Sequence, residues 1–170
     1  MFKNIPTSHI MIGIYQIAGG MLGMAVIIGL FKSESSTISM VLSLLLLWVV
    51  ALYAYSIYCG VLLISGNTKG LNQTQINQYL QVISILIAGF AFQYYSGIYF
   101  SVGIDLTHSF HFKLNWGLST FQMNLVSKNE TIQFNFNLVA LGLILYTDKL
   151  MRREKDKALN NQQGKLKKPV

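Results

Sequence analysis

Three long runs without a charged side chain constrain the fold of this chain more than any other feature. They cover residues 8–31, 35–68 and 70–104. A helix needs about 20 apolar residues to cross the hydrocarbon core of a bilayer, so each run can hold one span. Charged residues make up only 11% of the 170 residues, against roughly 25% in soluble domains. This favours an integral membrane protein over a soluble enzyme, a disordered chain or a nucleic-acid-binding domain.

The runs predict an all-α membrane protein with a small β element. Spanning helices are expected at about 9–31, 39–65 and 76–101, with a shorter fourth helix at 138–151. Residues 1–151 would then form a four-transmembrane-helix bundle. The remaining residues, 152–170, would form a basic, partly disordered tail.

The positive charges predict the orientation. Eight of the 13 Lys and Arg residues follow residue 148. With four spans, the tail shares one side with the N-terminus and the second loop. Because Lys and Arg concentrate on the cytoplasmic side of membrane proteins, both termini are expected in the cytoplasm. The predicted location is therefore a multi-pass position in an inner or plasma membrane.

Small residues and amides recur at helical spacing in the first and third predicted helices. Such stripes allow helix backbones to approach closely within a bilayer. They predict helix packing, and the alternative is a polar path lined by the two glutamines. The residues concerned are Gly13, Gln16, Gly20, Gly23, Gly89, Gln93 and Gly97.

The loop over residues 102–137 has a different period. Apolar and polar residues alternate in three successive runs, which predicts a three-stranded antiparallel β-meander outside the cytoplasm. One face of the sheet would be apolar and shielded by another surface, and the opposite face would carry solvent-exposed amides and hydroxyls. The predicted interaction face comprises Phe110, Phe112, Trp116, Phe134 and Phe136.

Metal and cofactor signals are weak. Asp105, His108 and His111 are spaced three apart, which suits zinc ligands on a helix. In a strand, however, His108 and His111 point to opposite faces, and structural zinc usually needs four ligands. No catalytic motif was recognised, so we expect neither an enzyme nor a cofactor.

These features predict a non-enzymatic interaction or accessory subunit of a membrane complex. Its expected partners are the lipid bilayer and either another protein or a second copy of the chain, and nucleic acid is not expected. The alternative is an oligomeric passive pore or a membrane-permeabilising effector, since amides and hydroxyls can line a pore.

Overall fold

The computed structural model describes residues 5–33, 40–87, 90–107, 109–124 and 132–166. Two predicted residues, Gly89 and His108, lie outside this part of the chain. The helices are α1 (Thr7–Ser33), α2 (Met40–Ile64), α3 (Gly70–Val82) and α4 (Leu138–Leu166). The strands are β1 (Ile83–Ile87), β2 (Phe90–Tyr95), β3 (Tyr99–Asp105), β4 (His111–Gly117), β5 (Thr120–Asn124) and β6 (Gln133–Asn137).

Two helices are long and apolar enough to cross a membrane. They are Thr7–Gly29 within α1 and Ser43–Ile64 within α2. Only 39% of each apolar stretch is buried inside the molecule, whereas a core helix of a soluble protein is mostly buried. The predicted four-transmembrane-helix bundle is wrong, because α3 has 13 residues and α4 is apolar only in its first half.

The predicted third helix, 76–101, is wrong for most of its length. Helix α3 ends at Val82, and the chain continues as β1, β2 and the start of β3. The reason is local: three isoleucines alternate through Ile83–Ile87, and aromatic residues alternate through Phe90–Tyr95. β-Branched and aromatic side chains favour strands. The absence of charge, which suggested a span, does not distinguish a strand from a helix.

The strands form one antiparallel sheet in the order β4-β3-β6-β1-β2-β5. The predicted three-stranded meander is also wrong, because β4, β5 and β6 pair with β3, β2 and β1 rather than with one another. Only residues 96–98 join β2 to β3, although β6 and β1 lie between these two strands. The sheet is therefore curled into a half-barrel.

The sheet lies alongside the hairpin formed by α1 and α2. The Trp48 and Phe92 rings are 5.8 Å apart, and the Tyr53 and Tyr94 rings are 5.3 Å apart. Five residues of helix and two of strand each advance about 7 Å, so β2 runs along α2 in the same direction. Four leucines and isoleucines, one from each helix, form a second core at the opposite end of the hairpin: Ile12, Leu63, Leu71 and Leu150.

The described part of the chain buries an unusually large share of polar side chains for a soluble domain. Among the described residues, fourteen buried residues are apolar and fourteen are polar or charged. Large apolar side chains are exposed on all four helices, for example Met11 on α1, Leu47 on α2, Tyr79 on α3 and Leu145 on α4. Buried polar groups are uncommon in soluble cores, and large exposed apolar patches mark contact with membrane or protein.

Candidate functional site

The candidate site is the apolar outer face of the sheet over β4, β3 and β6, together with the β4 edge; at β2 the same face packs against α2. The register places three residues of β4 on this face beside alternate residues of β3: Phe112 pairs with Ile104, Leu114 with Val102, and Trp116 with Phe100. The exposed fractions of Phe112, Leu114 and Trp116 are 68%, 64% and 81%. An apolar surface this exposed indicates a binding face for lipid or protein.

Four of the five residues predicted for the interaction face lie on this one face. Phe134 and Phe136 of β6 pair with Ile104 and Val102 of β3, which also neighbour β4. Phe110 precedes β4, and its ring lies 6.0 Å from that of Phe112. Phe134 is half-buried, whereas Phe136 is exposed, so the chain itself does not provide the predicted shielding.

The inner face of the sheet is polar and largely buried. Ser84, Ser101, Asn135 and Asn137 each have 5% or less of their surface exposed.

An ion pair joins β4 to the last residue of β3: Lys113 Nζ lies 2.6 Å from Asp105 Oδ2. Together with donors on Thr107, this ammonium group holds the pKa of the Asp105 carboxyl well below its usual range.

Asp105 is therefore engaged by a lysine on the neighbouring strand. It also accepts a hydrogen bond from Gln133 Nε2 at 2.8 Å. His111 lies 2.6 Å, Nε2 to Oγ, from Ser109. Within the described ranges, no group of three or more His, Cys, Asp or Glu residues is arranged to hold a metal ion.

A buried hydrogen-bond network joins the sheet to the helices. Ser56 of α2 contacts Ser96 through their hydroxyls at 2.9 Å, and Asn77 of α3 donates to Ser56 at 3.2 Å. The Ser96 N–H donates to Gln81 Oε1 at 2.8 Å. Tyr94 donates its hydroxyl to the carbonyl of Leu52 at 2.9 Å. Buried polar groups that are bonded in this way fix the relative position of the elements.

The predicted glycine stripe of α1 lies against neighbouring backbone. A Cβ added at Gly13 would lie 2.8 Å from the carbonyl oxygen of Gly60, and one at Gly20 would lie 2.8 Å from that of Tyr53. Gly23 faces the ring of Tyr53. Gly97, predicted on a helix, instead has φ +101° in the turn after β2, where α1 approaches it at Gly19.

The two glutamines of the predicted polar path are not brought together. Gln16 of α1 is fully buried, and its side-chain amide has no hydrogen-bond partner among the described residues. Gln93 lies on β2, where it pairs with Gln122 of β5 and is half-buried. No helical stripe joins Gln93 to Gly97, because these residues belong to a strand and a turn.

A small cavity of about 90 Å³ lies at the end of the molecule where α1 begins. It is lined by Ile5, Pro6, His9, Gly66, Asn67, Thr68, Leu71 and Glu154. His9 Nε2 lies 3.2 Å from Glu154 Oε1, which brings the start of α1 beside the second half of α4.

Sequence reasoning did not identify β4 as an edge strand. The one available signal was Lys113, because lysine is a common residue of edge strands. Comparison with protein-family models, curated proteins and solved structures found no match to this chain.

Proposed function

We propose that the chain is a membrane-embedded, non-enzymatic interaction subunit that joins another polypeptide through the β4 edge and the apolar outer face of its sheet. The observation that carries this proposal is the exposure of β4, whose seven residues are all exposed or half-exposed. In an antiparallel sheet, every second residue of such a strand directs its N–H and C=O away from the sheet.

The position of the sheet supports the membrane part of the proposal. Because β2 runs along the apolar stretch of α2, a bilayer crossed by α2 would also surround the sheet. The outer face carries Phe, Leu and Trp side chains that lipid can cover. The charged pair Asp105–Lys113 lies toward the end of the sheet, away from α3 and α4.

Lipid can cover the outer face but cannot satisfy the β4 edge. Hydrocarbon offers no hydrogen-bond donor or acceptor, so an open sheet edge is not stable at that depth. A protein strand supplies both the apolar contact and the missing backbone hydrogen bonds. A protein partner therefore fits this surface better than lipid alone.

Photocrosslinking tests the proposal directly. A benzoylphenylalanine introduced at Trp116 should form an adduct with a polypeptide in native membranes. The matched control is Leu145, which is 66% exposed on the apolar surface of α4 and should react mainly with lipid. Exclusively lipid adducts at both positions would contradict an interaction surface on β4.

The proposed location is a multi-pass position with both chain ends in the cytoplasm. The His9–Glu154 contact supports the placement of the start of α1 and the second half of α4 on the same side of the membrane. The basic residues after residue 148 favour the cytoplasm for that side. In a Cys59→Ser background, an impermeant maleimide should label Ser109→Cys but not Lys157→Cys in intact cells. Labelling of Lys157→Cys but not of Ser109→Cys would indicate the opposite orientation in the membrane.

Passive permeation is a second candidate function, favoured by the buried polar groups inside the molecule. Among the described residues, the side chains of Gln16, Gln78 and Thr74 contain buried polar atoms without a hydrogen-bond partner. Vesicles containing the protein would then release a trapped dye, and Gln16→Leu would abolish the release while the protein remained folded. Absence of release from the unmodified protein would leave only the interaction role.

A further inference from the structure

The two edges of the sheet differ in how they are covered. At β5, the Phe121 ring packs on a cluster that includes Ile27 of α1 and Tyr53 of α2. Next to it, Ser119 donates a hydrogen bond to the carbonyl of Gly19 at 2.7 Å. Strand β4 pairs with β3 alone in the described part of the chain. Among the described residues, β4 is therefore the edge with less cover from the helices.

The sequence of β4 is self-complementary about its central residue. If two copies pair antiparallel with a two-fold axis at Leu114, then Phe112 of each copy faces Trp116 of the other. Leu114 faces its own counterpart, and Lys113 faces Asn115. The three apolar residues that are 64–81% exposed in one chain would then cover one another. Directly opposed aromatic and aliphatic side chains favour strand pairing.

Charge does not oppose this pairing. A lysine on an edge strand usually prevents association because its ammonium group must remain solvated. Here Lys113 already contacts Asp105 on the neighbouring strand, with Nζ and Oδ2 2.6 Å apart. In the two-fold register the two Lys113 residues face asparagines rather than each other. The positive charge of Lys113, which would usually prevent association at the edge, is therefore neutralised by Asp105 of the same chain.

From the open edge, the self-complementary register and the neutralised lysine, we infer that the partner at β4 is a second copy of this chain. The two sheets join through antiparallel β4 strands into one continuous twelve-stranded sheet, whose outer edges are the two β5 strands next to α1. A closed two-fold contact of this kind is the commonest form of self-association. This inference rests on the proposed function and specifies its partner.

Disulfide trapping tests the two-fold register. The full-length Cys59→Ser protein carries Leu114→Cys and is oxidised in membranes with a permeant copper catalyst. Opposed Cα atoms in an antiparallel pair lie about 4.5–5.5 Å apart, within the range that a disulfide spans. Covalent dimers should form at Leu114→Cys and be absent at the control Leu145→Cys, which has a matched exposure of 66% against 64%.

The direction of pairing needs a second experiment. When Phe112→Cys and Trp116→Cys proteins are mixed in the same membranes, covalent dimers should form, whereas either variant oxidised by itself should give almost none. Light scattering of the unmodified protein in mild detergent should give twice the protein mass of one chain, and Leu114→Lys should reduce it to that of one chain.

The outcomes separate this inference from the proposed function. A Leu114→Cys adduct with a different polypeptide, without covalent dimers, would overturn the second copy and leave an interaction subunit. A protein of single-chain mass that forms no Leu114→Cys adduct would also overturn the second copy. If Trp116 photocrosslinks only to lipid as well, the proposed function fails with it.

Discussion

Replacing Gly20 with alanine should weaken the contact between α1 and α2. The added Cβ would lie 2.6 Å from Ile57 Cγ1 and 2.8 Å from the carbonyl oxygen of Tyr53. Carbon atoms do not approach a backbone oxygen this closely, so the two helices must separate or tilt. Gly29 provides the matched control in the same helix, because a Cβ there meets nothing within 4 Å.

The magnitude follows from comparing the two variants. Both gain the same helix propensity, about 1 kcal/mol for alanine over glycine, so this gain cancels in the comparison. The remaining difference is the cost of overpacking, about 1–3 kcal/mol in well-packed interiors. For a chain of this size, that corresponds to a Tm lower by about 2–12 °C for Gly20→Ala than for Gly29→Ala.

Thermal unfolding in detergent, followed by circular dichroism, measures this difference. The clash lowers the Tm because the close approach of α1 and α2 is present in the folded protein and lost on unfolding. If both variants melted at the same temperature, the glycine stripe would not face α2, and the packing described for this hairpin would be refuted.

Two further predictions concern the sheet. Tyr94→Phe removes the hydrogen bond to Leu52 and should lower the free energy of unfolding by about 1 kcal/mol, whereas Tyr79→Phe, exposed on α3, should leave it unchanged in denaturant titrations. Because the pKa of Asp105 is lowered in the folded state, its contact with Lys113 should stabilise the β3–β4 hairpin above the unfolded carboxyl pKa of about 3.9. This stabilisation is lost as the pH falls toward the lower folded pKa. The amide protection of the hairpin, measured as its exchange rate relative to the intrinsic rate at the same pH, should therefore fall at acidic pH, and Asp105→Asn should make that protection less dependent on pH.

The first two helices were predictable because their signal is long and local. The uncharged runs placed them at 9–31 and 39–65, and the structure has Thr7–Ser33 and Met40–Ile64. The predicted fourth helix begins at Leu138, as observed, and continues to Leu166. The spacing of apolar residues and the absence of charge are properties of neighbouring residues in the sequence, so they can be recognised without knowledge of the rest of the chain.

Strand pairing was not predictable for the opposite reason. The alternation in the loop identified which side chains of β4 and β6 share a face. It contained no information about β1 and β2, whose residues were assigned to a helix, and these strands provide partners for β5 and β6. Which strand becomes the edge depends on the complete sheet, so the β4 surface became visible only in the structure.

The central place of β6 has a consequence for biosynthesis. Strands β1 and β3 both pair with β6, which is the last strand to be translated. Until Gln133–Asn137 leaves the ribosome, the β1–β2 and β3–β4 hairpins have no strand to join them, and their inner edges stay open. Apolar strands with unpaired edges are therefore exposed during most of the synthesis of the chain. Such exposed strands are prone to aggregation. We expect any C-terminal truncation that removes β6 to be degraded or aggregated, even though both long apolar helices are intact.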